Sequence, residues 1–108
     1  MAGNLETFFQ PNSVVVIGAS ATPHKPGNDV IENILANEYE GKIYLVNPKG
    51  GKILGIDVHS SIQELPDNID LAIIILPAAD NMRAINECVE KGIKYFVLAA
   101  GGFSELDE

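Results

Sequence analysis

Apolar positions along the chain follow two rhythms. Ser13-Val14-Val15-Val16-Ile17 is an unbroken β-branched run that ends at Gly18, the pattern of a strand buried on both faces. Ile43-Tyr44-Leu45-Val46 is a second such run, halted by Asn47-Pro48-Lys49-Gly50-Gly51. Leu71 to Leu76 is apolar at every position and stops at Pro77, which predicts a third strand at the sheet centre. Tyr95-Phe96-Val97-Leu98 predicts a fourth, running into Ala99-Ala100-Gly101-Gly102. Between the runs the period lengthens. Val30, Ile31, Ile34 and Leu35 share one helical face, with Asn28 as the expected cap, Asp29 and Glu32 near the positive end, and Gly41 closing the element. Met82, Ile85, Cys88 and Val89 predict a helix from Asp80 to Lys91 with Gly92 as its cap. Ile53-Leu54-Gly55 reads as a short extended stretch. Ser61 and Glu64 have capping-box spacing for a short helix stopped by Pro66. Strand and helix alternate without internal repeat, so the expected architecture is α/β with a doubly wound parallel sheet.

At 108 residues the chain has room for one core, and one domain over 1–108 is expected. An apolar fraction of 46% beside 20% charged residues fits an ordinary globular protein. The net charge of −8 argues against a nucleic-acid surface, which needs many Lys and Arg against phosphates. The basic residues are not evenly spread, however. Lys25, Lys42, Lys49 and Lys52 fall in one stretch of the first half, which suits a small phosphate-bearing ligand. Cys88 is the single cysteine, so no internal disulfide forms. On the apolar face of its helix it reads as a buried, inert thiol. No apolar run reaches the roughly twenty residues of a membrane helix, and Asn4 and Glu6 before Phe8 break any signal-peptide pattern. A cytoplasmic protein with no membrane partner is the expectation. No metal-binding spacing is present.

In a doubly wound sheet, ligands settle beyond the carboxyl ends of the strands, where strand order reverses around the first strand. Those ends are Gly18-Ala19-Ser20, Asn47-Pro48-Lys49, Leu76-Pro77-Ala78 and Ala99-Ala100-Gly101. The first feeds a helix N-terminus, whose free amides and dipole favour a phosphate, and Gly18 and Gly27 allow close backbone approach there. Lys25 adds a point charge. The dinucleotide fingerprint G-x-G-x-x-G is missing, as is the acidic residue that would end the second strand and hold ribose hydroxyls. Lys49 stands at that strand end instead. A lysine there suits a ribose phosphate, either the 3′-phosphate of coenzyme A or the 2′-phosphate of NADP, and position leaves the two open.

At these segments the sequence resembles the N-terminal domain of NDP-forming acyl-CoA synthetases, the family of ADP-forming acetyl-CoA synthetase, related to the succinyl-CoA synthetase alpha subunit. The likeness runs through Ser13 to Ser20, Gly41 to Lys49, Ile53-Leu54-Gly55, Ser60-Ser61-Ile62, Ile69 to Ile74, Pro77-Ala78, Glu87-Cys88, Lys91-Gly92 and Gly102-Phe103-Ser104-Glu105. It implies a Rossmann-like sheet of order 3-2-1-4, ending before the fifth strand usual for such a domain, so that the domain is incomplete at its C-terminus. It also implies coenzyme A or acyl-CoA as the bound substrate, with Gly18, Ala19, Ser20, Lys25 and Gly27 near its phosphates and Asn47, Pro48 and Lys49 near the nucleotide end. Pro77, Ala78, Ala100 and Gly101 would line the path of the pantetheine arm. Such enzymes convert acid, CoA and NTP to acyl-CoA, NDP and phosphate through an acyl phosphate and a phosphohistidine in a later domain. Neither His24 nor His59 matches that histidine, so this chain is expected to bind without turnover. The remaining ligase domains or a beta subunit would be its partners. The same residues admit a free-standing CoA-binding protein, the ligase-like region of a protein lysine acetyltransferase, or an NADP-linked domain.

Overall fold

The structure is a computed structural model, and it describes residues 10–99. β1 is Ser13–Ile17, α1 Pro26–Ala36, β2 Lys42–Val46, β3 Gly51–Ile53, β4 Ile56–His59, β5 Leu71–Ile74, α2 Ala78–Glu90 and β6 Tyr95–Leu98, with one 3₁₀ turn at Ile62–Glu64. The strands form one sheet in the order β3-β4-β2-β1-β5-β6. All neighbours are parallel except β3, which turns back against β4.

β1 sits inside the sheet because it has no polar position to expose between Val14 and Ile17. Its alternate side chains serve two cores. Val15 and Ile17 point to the layer holding Ala84 and Cys88 of α2, with Ala72, Ile74, Ile62, Leu65 and Ile93. Val16 points to the other face, with Ile31 of α1, Leu45, Ile53 and Ile75. The two helices therefore lie on opposite faces, the doubly wound arrangement read from the sequence.

The strand order corrects the sequence reading. Strand 71–74 does not lie outside β2 as an order of 3-2-1-4 requires; it pairs directly with β1, Val15 opposite Ala72. The place beyond β2 belongs to β4, Leu45 opposite Val58. β4 escaped the sequence reading because its pattern, Ile-Asp-Val-His, is short and half polar. Its partner hairpin turn is formed by Leu54 and Gly55 at φ 51° and 84°, and leucine is an unusual residue for that turn. With β4 counted, five parallel strands lie within the described residues. The expectation of four such strands through Leu98 came from missing this one.

Local boundaries shift for identifiable reasons. α1 opens at Pro26, where the missing N–H costs nothing, so Lys25 and not Asn28 holds the N-cap position. The helix ends at Ala36, before Gly41, with Asn37 capping and Glu38 at φ 57°. α2 begins at Ala78, directly after Pro77, two residues earlier than Asp80. At the 3₁₀ turn, Ser61 makes no capping bond. Ser60 takes that part: its N–H and its hydroxyl donate to the two Glu64 oxygens at 3.1 and 2.7 Å. Those bonds hold the Glu64 carboxyl below its ordinary pKa. Ser60→Ala is expected to return the Glu64 titration toward the ordinary carboxylate value, read by carbon NMR; an unchanged midpoint would contradict the assignment.

Cys88 is fully buried, and burial, with Glu87 adding repulsion, raises its thiol to about 11. At pH 8 only roughly one molecule in a thousand would carry a thiolate. A chromogenic disulfide reagent is therefore expected to leave the folded chain untouched and to react with one equivalent after denaturation; prompt reaction of folded protein would contradict this. No helix among the described residues is long and apolar enough to cross a membrane.

Candidate ligand crevice at the strand ends

The carboxyl ends of β1, β2, β4, β5 and β6 converge on one edge, and hydrogen bonds tie the loops that leave them. Gly18 and Ala19 N–H both donate to Val46 O, at 3.1 and 3.2 Å. Asn47 N–H donates to His59 O, Ile75 N–H to Ile17 O and Ala99 N–H to Ile74 O. The chain leaves β1 toward β2 on one side and returns to β5 on the other, so the reversal that opens a crevice falls at Gly18 to Ser20.

The loop from β1 to α1 is packed tightly. A side chain on Gly27 would collide with Gly18 O and approach Ser20 N at 3.1 Å. Gly18, at φ 98°, is pressed in turn against Ile75 O. The α1 N-terminus is thus brought against the end of β1 with no side chain between, which leaves its first-turn dipole facing the loop. Ser20 Oγ accepts from Thr22 N–H at 3.1 Å, and Asn28 Nδ2 donates to Ser20 O at 2.9 Å. Lys25 stands exposed at the head of the helix.

On the β2 side, Asn47 Oδ1 accepts from Lys49 N–H at 2.7 Å, turning the chain so that Pro48 and Lys49 are exposed at the rim. Asn47 Nδ2 donates to Ala19 O at 2.7 Å, which binds the β2 loop to the β1 loop. On the far side of β1, Pro77 precedes α2 and Ala78 is its first residue, both exposed. The structure therefore gathers Gly18, Ala19, Ser20, Lys25, Gly27, Asn47, Pro48, Lys49, Pro77 and Ala78 at the same end of the sheet. Ala100 and Gly101 lie outside the described residues.

Two residues here were read differently from sequence. Asn28, expected as a helix cap, is buried and turned back onto the loop. The signal for this was Pro26, which moves the helix start three residues upstream and places Asn28 inside the first turn. His59, assigned no role, ends β4 beside Asn47, with its ring 3.8 Å from Glu64 Oε1. Its place at the rim follows from β4, the strand that the sequence pattern does not announce. An apolar cavity of about 360 Å³, lined by Val14, Val30, Ile34, Tyr39, Leu71 and Ile73, lies elsewhere, toward the amino ends of β1 and β5. Among the described residues no group of three His, Cys, Asp or Glu side chains is placed to hold a metal.

Against known protein families, residues 12–107 match a family model described as a CoA binding domain. The chain belongs to that CoA-binding domain family. Its relatives include the alpha subunit of an ADP-forming acetate–CoA ligase I from Pyrococcus furiosus, 44% identical over 97% of this chain and 24% of that protein. The ADP-forming acetate–CoA ligase II of Archaeoglobus fulgidus is 46% identical over 97% of this chain and 16% of its own length. Among solved structures, the dinucleotide forming acetyl-coenzyme A synthetase 1 of Ca. Korarchaeum cryptofilum, in complex with phosphate and ADP, superposes with a TM-score of 0.82. It is 32% identical, over 87% of this chain and 20% of that one. A conserved hypothetical protein of Pyrococcus furiosus matches at TM-score 0.71 and 28% identity, over 79% of this chain and 72% of that one. The chain thus spans a quarter or less of the length of these ligases.

Proposed function

We propose that this CoA-binding domain holds coenzyme A across the carboxyl edge of its sheet, as the thiol-substrate module of an ADP-forming acyl-CoA synthetase of the acetate–CoA ligase type. The observation that carries the reading is the pairing of two features at one crevice. A glycine-lined loop sits against the α1 N-terminus, and a lysine stands where a dinucleotide site would need an acid at the end of β2. In this arrangement the diphosphate rests on the 18–20 loop and the head of α1, with Gly27 giving access and Lys25 adding charge. Asn47, Pro48 and Lys49 form the nucleotide end, with Lys49 against the 3′-phosphate. The pantetheine arm leaves past Pro77 and Ala78 toward Ala100 and Gly101.

The chemistry assigned to the domain is presentation of a thiol. CoA sulfur attacks an acyl phosphate, phosphate departs, and acyl-CoA is released; the groups that make the acyl phosphate and transfer phosphate to ADP belong to other domains of the enzyme or to a beta subunit. Binding, orientation and release of CoA are this chain's share. No nucleic-acid partner is proposed for a chain of net charge −8.

Isothermal titration tests the ligand. CoA and acetyl-CoA are expected to bind, with neither NAD nor NADP competing at similar concentration; equal binding of NADP would overturn the reading. A free-standing CoA-binding protein is the second reading, favoured by the likeness to the Pyrococcus furiosus hypothetical protein, most of which this chain covers. A coding sequence that continues into a histidine-bearing ligase domain decides for the first.

A further inference from the structure

Two asparagines grip consecutive carbonyls of the loop after β1. Asn47 Nδ2 donates to Ala19 O at 2.7 Å, from the end of β2. Asn28 Nδ2 donates to Ser20 O at 2.9 Å, from the first turn of α1. In a trans peptide the carbonyl of one residue and the N–H of the next share a plane and point in opposite directions. Fixing Ala19 O therefore aims the Ser20 N–H away from Asn47, and fixing Ser20 O aims the Ala21 N–H away from Asn28. Among the described residues neither N–H has a protein acceptor. Asn28 is only 3% exposed, and its Oδ1 is buried without a hydrogen-bond partner. Burying an unpaired amide oxygen is unfavourable, so the value of asparagine at this position lies in its Nδ2 contact with the loop.

We infer that Asn28 and Asn47 are positioning residues for a diphosphate: they clamp the Ala19 and Ser20 carbonyls so that the Ser20 and Ala21 amides stay presented to phosphate oxygens. The inference rests on the coenzyme A reading and adds to it a division of labour. Lys49 recognises the ribose phosphate at one end of the ligand, and the two asparagines act on the diphosphate through the backbone without touching it. The β2 loop and the α1 N-terminus would then be coupled through one short segment, because each supplies one of the two clamps.

The test uses the 108-residue chain with Asn28→Ala, Asn47→Ala and both together. Calorimetry against CoA and 3′-dephospho-CoA is expected to show about a tenfold loss for both ligands, since both carry the diphosphate: equal losses for Asn28→Ala, and a somewhat larger loss for CoA with Asn47→Ala, which also frees the Lys49 turn. Unchanged dissociation constants would overturn the inference, as would a loss confined to the 3′-phosphorylated ligand. A purely structural role would lower the melting temperature while leaving the affinity of folded protein intact. The unaltered chain supplies a readout that needs no variant. Its Ser20 and Ala21 amide resonances are expected to move on saturation with CoA and, more weakly, with inorganic pyrophosphate. CoA saturation that leaves both amides unmoved would overturn the clamp while sparing the ligand assignment. Failure of the unaltered chain to bind CoA would overturn the ligand assignment, and the clamp with it.

Discussion

Gly27→Ala is expected to destabilise the fold. Gly27 lies in the first turn of α1, where alanine would ordinarily favour the helix. Here a Cβ would collide with Gly18 O and crowd Ser20 N, and both are backbone atoms that cannot swing aside as the tip of a side chain would. Gly18→Ala meets the same obstacle from the other side, against Ile75 O, and adds the strain of φ 98° for a residue with a Cβ. For Gly27→Ala the overpacking alone costs about 1–3 kcal/mol, and for Gly18→Ala left-handed strain of about 1–2 kcal/mol adds to it, roughly 2–5 kcal/mol in all. In a domain of this size that is a fall in melting temperature of roughly 4 °C or more for Gly27→Ala and roughly 8 °C or more for Gly18→Ala. Circular dichroism melts measure it directly. A variant melting within a degree or two of the parent would show that α1 does not approach the β1 loop as closely as described.

Lys49→Ala is expected to weaken CoA by roughly ten- to a hundredfold, the effect of losing a hydrogen bond to a charged group, about 1.5–3 kcal/mol. The loss should vanish for 3′-dephospho-CoA, because the lysine is assigned to the 3′-phosphate alone. It should also shrink as salt rises, since Lys49 is exposed and its charge is screened. Lys49 makes no core contact, so the melting temperature of the free chain should stay near that of the parent. Calorimetry with the two ligands in parallel checks both parts. Equal losses for the two ligands would move Lys49 to another part of the site.

The contrast between these residues explains which features could be read from the sequence. Buried strands were legible because nothing except a strand at the sheet centre accommodates Val14-Val15-Val16-Ile17 or Leu71 to Ile74 without a polar position. The crevice was legible for a similar reason: glycines, an Asn-Pro-Lys turn and Pro77 all fall at the ends of such runs. β4 was not, because a half-exposed strand of four residues carries little periodicity and its turn uses Leu54 where glycine or asparagine would announce it. Missing β4 displaced strand 71–74 in the inferred order and hid His59 at the rim. Asn28 was misread because its partner, Ser20 O, is eight residues away across a loop, and the local pattern alone favoured a cap. The Ser60–Glu64 pairing failed by one residue for a related reason, since two adjacent serines offer the same spacing signal.

The most direct test of the central claim is a crystal structure of this chain grown with coenzyme A. The diphosphate is expected against Gly18, Ala19, Ser20 and Gly27, and the 3′-phosphate within hydrogen-bonding distance of Lys49 Nζ. Coenzyme A found elsewhere, or a crevice that NADP fills and coenzyme A does not, would contradict the account.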